Sequence, residues 1–316
     1  MIHARGLRRS FGRRGATVDA VRGIDLDVAE GEIVAFLGPN GAGKTTTLRM
    51  LTTLLRPTSG SATIAGADLL ADPTQVRRRI GYVAQSGGTD PNTRVGAELE
   101  LQGRLYGLSA TAARSRAEQL CAQLDLAGLT DRYVRTLSGG QRRRLDIAFG
   151  LMHDPRLLFL DEPSVGLDPQ SRSNLWSHIR RLRADNGTTI FLTTHYLDEA
   201  DALCDRILVI DNGELVAQDS PDALKRRFAT EVVTVEVAGD PEFARILLAE
   251  QVAVIESSVE LDGTIRLTVT DGRRALPDLM RGLAAADLPL TSIQLARPTL
   301  DDVFLTLTGR SPRETA

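Results

Sequence analysis

Hydrophobic and polar positions alternate along VDAVRGIDLDVAEGEIVAFLG, residues 18–38, and then run apolar. This predicts two strands joined at the Glu30-Gly31 turn, the second leading straight into a glycine-rich loop. Helical spacing follows over Lys44 to Leu55 and again over ARSRAEQLCAQLDLAGL, residues 113–129. Two short apolar runs, RLLFLD (156–161) and TTIFLTTH (188–195), read as buried strands on either side of SRSNLWSHIRRLRADNG, a capped helix ended by glycine. Short apolar strands alternating with helices predict a mostly parallel α/β sheet.

Near residue 228 the pattern changes. EVVTVEVAG (strand), DPEFARILLAEQ (helix), VAVIESSVELDG and TIRLTVTDG (hairpin), RRALPDLMRGLAAAD (helix) and LPLTSIQLA (strand) spell β-α-β-β-α-β, a ferredoxin-like order. The expected division is 1–228 for the first domain and 229–310 for a small α+β domain that includes a last helix in PTLDDVFLTLTG, with a disordered tail at 311–316.

The 316 residues suffice for two cores. A formal charge of −3 gives no global attraction for nucleic acid or anionic lipid, so no nucleic-acid partner is expected. No apolar run approaches the roughly 18 to 20 residues a membrane span needs, and MIHARGLRRSFGRRG lacks the apolar segment of a signal peptide. A cytosolic chain is expected, with Cys121 and Cys204 as reduced, buried thiols.

Positive charge is written almost wholly as arginine; Lys44 and Lys225 are the only lysines. Gly38 to Thr45, GPNGAGKT, match G-x-x-x-x-G-K-[ST] between an expected strand and an expected helix, the context of a phosphate-binding loop. Its glycines let backbone N–H groups turn inward as an anion nest at the positive end of a helix. Lys44 would reach the β and γ phosphates of ATP and Thr45 would ligate Mg²⁺.

Three further stretches bear on the same chemistry. RLLFLDEPSVGLDP ends a strand in Asp161 and Glu162 at the sheet edge where ligands bind. Asp161 fits a metal-linked water and Glu162 fits polarisation of an attacking water, against the plainer reading of a loop start or helix cap. In TLSGGQRRRLDIAFGLMHDP, Ser138 can cap a helix and make a second anion nest, while Arg142, Arg143 and Arg144 read as surface charge or domain contacts. His195 ends a buried strand at the same edge, where a γ-phosphate contact competes with a structural role.

GPNGAGKT, LSGGQ, LLFLDEP, GLD and the strand-end His195, in this order and spacing, resemble the ATP-binding subunit of ABC transporters over about residues 1–228. The resemblance implies an α/β P-loop NTPase of ABC type, a mixed sheet core with a helical subdomain at about 86–155, beside the ferredoxin-like domain. It also implies a head-to-tail homodimer in which Ser138, Gly139, Gly140 and Gln141 contact nucleotide held by the partner's loop. Carried over position by position, Gly38, Pro39, Asn40, Gly41, Ala42, Gly43, Lys44, Thr45 and Thr46 hold ATP. Gln85 of GYVAQ senses Mg²⁺ and water and, with Lys44, Glu162 and His195, completes the catalytic set. Thr45, Gln85 and Asp161 serve the metal, and Asp168 belongs to the loop crossing the dimer seam. Phe11 of SFG matches the aromatic that stacks on adenine, where the family more often has tyrosine; a core phenylalanine is the alternative.

GRLYGLS, the extra C-terminal domain and PTLDDVFLTLTG are similar to daunorubicin-resistance-type exporter ATPases, whereas NTRVGAELELQGR departs from the usual LTGRENL-like stretch, in a region that should face the permease. The resemblance implies an ATPase that powers efflux of a drug-like or lipophilic compound through a separate permease, held by it at the cytoplasmic face of the membrane. The alternative is a soluble ABC ATPase that remodels a ribosome or nucleic-acid complex. It would be expected to carry two nucleotide domains, or long coiled-coil or zinc insertions, and this chain has neither.

Overall fold

The computed structural model describes residues 1–13, 16–228, 230–251 and 253–309. The chain divides after Pro221 into two compact units. The expected tail at 311–316 lies outside the described residues.

The first unit opens with β1 (Ile2–Arg13), β2 (Ala16–Val28), β3 (Ile33–Leu37), α1 (Lys44–Leu51), β4 (Ser59–Ile64), β5 (Ala67–Asp68), α2 (Pro73–Arg79) and β6 (Ile80–Val83). Three helices then intervene, α3 (Val95–Leu105), α4 (Ala110–Gln123) and α5 (Gly139–Leu151), before β7 (Leu157–Asp161), α6 (Pro169–Asn186), β8 (Thr189–Thr194), α7 (Leu197–Leu203), β9 (Arg206–Asp211) and β10 (Glu214–Asp219). Both strands expected around Glu30-Gly31 form, but in different sheets. β2 joins the antiparallel order β2-β1-β4-β5, and β3 enters the order β10-β9-β3-β8-β7-β6. There β9, β3, β8, β7 and β6 run parallel, and only the edge strand β10 is antiparallel.

Every residue of β3, β7 and β8 is buried, which explains why they are largely apolar and do not alternate: a strand covered on both faces has no solvent side to mark with polar residues. Phe36, Phe159 and Phe191 pack across these three strands with ring centroids 5.8 and 5.6 Å apart. Burying each such side chain stabilises the fold by about 1.5–3 kcal/mol.

Helix α1 stops at Leu51 and not at the expected Leu55. Thr52 turns its hydroxyl back onto Leu48 O and Thr53 takes a left-handed φ of 66°, which ends the helical run. Helix α6 has the caps its sequence announces: Asp168 accepts from Ser171 N, and Gly187 closes the far end at φ 65°.

The second unit contains α8 (Pro221–Phe228), β11 (Glu231–Val237), α9 (Pro241–Ala249), β12 (Val254–Val259), β13 (Ile265–Val269), α10 (Gly272–Ala285), β14 (Leu290–Ala296) and α11 (Leu300–Thr308). Its sheet order β12-β13-β11-β14 is antiparallel throughout, the arrangement of a ferredoxin-like β-α-β-β-α-β unit. Val233, Val235 and Leu267 from the sheet meet Leu248, Leu279 and Leu283 from α9 and α10 in a core of their own.

Candidate nucleotide site

The loop between β3 and α1 is shaped by its glycines. Gly41 and Gly43 take φ of +82° and +106°, values that L side chains resist, and a Cβ on Gly43 would lie 2.5 Å from Ala20 O. A Cβ on Gly38 would lie 2.3 Å from Ile210 O, so this residue lets the loop pass against β9. Lys44 is only 5% exposed. Its Nζ donates to Gly38 O at 2.7 Å and Pro39 O at 3.1 Å, and stands 3.7 Å from Glu162 Oε1. Burial lowers the lysine's pKa, while the charges of Glu162 and Asp161 pull the other way. Ala20, Asn40, Gly41, Gly43, Lys44, Thr45, Thr46 and Glu162 line a cleft of about 140 Å³.

Two parallel strand ends bring carboxylates to this loop. Asp161, the last residue of β7, is paired in register with Thr193 of β8. The Thr193 hydroxyl donates to Asp161 Oδ1 at 2.6 Å, and the Thr45 hydroxyl approaches the same oxygen at 3.4 Å. Glu162 leaves the strand at φ 44°, a left-handed value for a residue with a full side chain. Its N–H is shared between Thr193 O and Thr193 Oγ1, both at 3.1 Å.

The Glu162 carboxylate is held from three sides. Gln85, just beyond β6, donates Nε2 to Oε2 at 2.9 Å; Lys44 faces Oε1; His195 Nδ1 lies 3.3 Å from Oε1. The imidazole is not aligned for a hydrogen bond, so the geometry leaves this contact electrostatic. Contact with His195, followed by the charges of His195 and Lys44, holds the Glu162 carboxyl below the usual range despite its burial. A carboxylate ionised and oriented in this way can accept a proton from a water brought beside it.

Lys44, Thr45, Gln85, Asp161, Glu162 and His195 thus converge on one sheet edge. Other expected residues stand elsewhere. Ser138 caps α5 reciprocally with Gln141: Ser138 Oγ accepts from Gln141 N and Gln141 Oε1 accepts from Ser138 N. Gly139 and Gly140 lie in the first turn of this helix. Asp168 is exposed at the start of α6, and Phe11 is 41% exposed on β1 beneath the Arg9 guanidinium. None of these six residues lines the cleft. A larger hollow of about 550 Å³, lined among others by Met1, His3, Arg78, Arg79 and Arg156, shares no residue with the site. It opens at the opposite, N-terminal ends of the strands and has no converging buried polar groups.

One sequence reading is corrected. Arg143 is neither surface charge nor a domain contact: it is 7% exposed and binds backbone carbonyls inside the first unit. A run of three arginines looks solvated, but the helical turn sends the middle one inward. Sequence reasoning also missed Thr193, whose signal was a polar residue in a strand buried at every position. It missed Glu199 as well, fully buried on α7, which accepts from the Ser164 hydroxyl and from Trp176 Nε1. The two thiols are buried and free as expected.

Residues 21–165 match the family described as ABC transporter, and residues 220–308 match the C-terminal domain described as ATP-binding protein DrrA1-3-like. The daunorubicin resistance ATP-binding protein DrrA2 of Streptomyces coeruleorubidus is 43% identical over 99% of this chain and 97% of its own length. The chain belongs to the daunorubicin-resistance-type ATP-binding proteins of ABC transporters. Within this family the likeness is not confined to drug resistance: the Nod factor export ATP-binding protein I of Ralstonia nicotianae is 38% identical over 99% of the chain and 95% of that protein. Among solved structures, a dimeric ATP-binding cassette in a post-hydrolysis state with ADP and Pi aligns at TM-score 0.64 and 25% identity. It covers 70% of this chain and 98% of that one. The ABC cassette fold and ATPase activity follow from this membership.

Proposed function

We propose that this ABC ATPase drives efflux of a drug-like or lipophilic compound through a separate membrane permease, working as a head-to-tail pair of copies. The observation that carries the chemistry is the convergence of Lys44, Gln85 and His195 on the Glu162 carboxylate beside the glycine nest. Lys44 exchanges its carbonyl partners for the β and γ phosphates, the nest backbone cradles them, and Glu162 takes the proton of the attacking water. Gln85 and His195 orient water and γ-phosphate at that carboxylate. Phe11, partly exposed on β1 with Arg9 over its ring, is the aromatic that would stack on adenine.

The oxygen-donor set of Thr45 and Asp161, with Gln85 close by, suits a hard cation. These residues would hold Mg²⁺, which supplies charge neutralisation on the phosphates when bound. Ser138, Gly139, Gly140 and Gln141, away from the chain's own cleft but pre-shaped as a helix N-terminus, fit the phosphates held by a partner copy, with Asp168 at the seam. Among the described residues no helix is long and apolar enough to cross a membrane, so on this reading the permease supplies the span and holds the chain at the membrane face. The resistance and export names of the relatives favour a transporter; the ribosome-remodelling alternative draws no support from them.

The chemistry is tested by Glu162→Gln. It should keep MgATP bound while turnover falls by about 10²–10⁴-fold, and ordinary steady-state hydrolysis would remove Glu162 from the reaction. The transport reading is tested by co-purification: recovery with ribosomes, and with no integral-membrane protein, would overturn it.

A further inference from the structure

One guanidinium lies between the two loops that face each other at Glu162. Arg143 stands one turn inside α5 and donates Nε to Pro163 O at 2.9 Å and Nη2 to Asp161 O at 2.9 Å. Nη1 goes to Ala84 O at 2.7 Å and reaches Gln85 O at 3.4 Å. Every acceptor is a main-chain carbonyl. Two of them flank Glu162, and two belong to Gln85 and the residue before it. A planar fork with five N–H groups can span four carbonyls in fixed directions; a lysine ammonium cannot.

Buried charge of this kind is tolerated only with compensation, and Asp146 and Asp161 supply it. Asp146, one turn further along α5, also accepts from the Thr89 hydroxyl at 3.2 Å, and Arg142 reaches Thr89 O at 3.4 Å. The segment from Ala84 to Thr89 is therefore fastened to α5 at both ends. Glu162 needs such a restraint, because its left-handed backbone is a conformation that surrounding structure must enforce.

We propose that Arg143 is a positioning residue for hydrolysis: it clamps the backbone on both sides of Glu162 to the backbone of Gln85, and so fixes the 2.9 Å contact between their side chains. This rests on the proposed role of Glu162. Arg143 does not touch the reacting atoms; it sets the register of two groups that do. Because Ser138 caps α5, that register is referred to the same helix whose first turn is offered to the partner's nucleotide.

The test uses the full chain and MgATP, with Arg143→Lys and Arg143→Met measured alone and on a Gln85→Ala background. Arg143→Lys keeps the buried cation but loses the fork, and its kcat per folded molecule should fall about 10- to 100-fold with the KM for ATP changed by less than about threefold. On the Gln85→Ala background the same substitution should cost at least about threefold less, since one of the groups it positions is gone. Equal penalties in the two backgrounds, an unchanged kcat, or kcat and KM deteriorating in step with the melting temperature would each overturn the proposal. Should Arg143→Met not fold, the lysine variant decides. Failure of the Glu162 reading is separate: it shows as normal turnover in Glu162→Gln, whatever Arg143 does.

Discussion

Thr193 and Asp161 face each other across adjacent strands, and the threonine hydroxyl donates to the carboxylate at 2.6 Å while its oxygen accepts the Glu162 N–H. One hydroxyl thus orients the carboxylate expected to serve the metal and helps hold the backbone of the one expected to serve the water. Thr193→Val keeps the shape and removes both bonds, leaving Asp161 buried with an oxygen underused. We expect a loss of about 1–3 kcal/mol in chemical denaturation, with ATP turnover reduced by about tenfold or more. Equal stability and activity in the valine variant would show that Thr193 only fills space.

The split site has its own signature. Lys44→Ala and Ser138→Arg should each abolish turnover as homodimers. Mixed, they form heterodimers in which one site carries both lesions and the other none, so mixing two inactive proteins should restore about a quarter of normal activity. Sites complete within one chain would stay inactive at every mixing ratio.

Glu199 gives a pH dependence with a definite sign. Burial raises its pKa, against the donors Ser164, Thr194 and Trp176. Below the unfolded value of about 4.3 both states are protonated and nothing is lost. As pH climbs from there toward the raised folded value, the unfolded chain ionises while the folded one resists, and stability falls. Glu199→Gln abolishes this slope. Its melting temperature relative to the parent should therefore rise as pH climbs from about 4.3, as calorimetry would record. A difference that stays flat or shrinks would mean that Glu199 is ionised in the fold at little cost.

Because each unit has its own buried core, a chain ending at Pro221 should unfold cooperatively and bind ATP with a Kd within about threefold of the full chain. If the second unit serves pairing or the permease, membrane recovery with the permease should be lost in the same protein. A truncated chain that fails to fold would tie the two units into one cooperative body.

Much of this site is legible in the sequence because its parts follow strand ends. Asp161, Glu162 and His195 each sit at or just past the end of a buried strand, and Lys44 opens the helix that follows the glycine loop after β3; a parallel sheet brings such ends to one edge whatever the order in the chain. The ferredoxin-like order is legible for a similar reason, since alternation and helical spacing change clearly from segment to segment. Arg143 is not legible: its inward direction depends on the turn at which α5 starts and on loops far away in sequence, and RRR carries no mark that separates the middle residue. The early end of α1 is a local matter that helical spacing does not record: the Thr52 hydroxyl turns back onto Leu48 O and Thr53 takes a left-handed φ, where spacing alone would run on to Leu55.

The resting position of Lys44 has an energetic consequence. With its ammonium buried and bound to Gly38 O and Pro39 O, water has already been stripped from the charge by the fold itself. An incoming triphosphate meets a cation that need not be dehydrated again; it has only to displace two carbonyls and shed its own water, so the fold has already borne part of the cost of binding. The same burden falls on the empty protein, whose stability carries a buried charge with only carbonyls and a nearby carboxylate as partners. Nucleotide should therefore act on this chain as much by relieving its interior as by adding contacts to its surface.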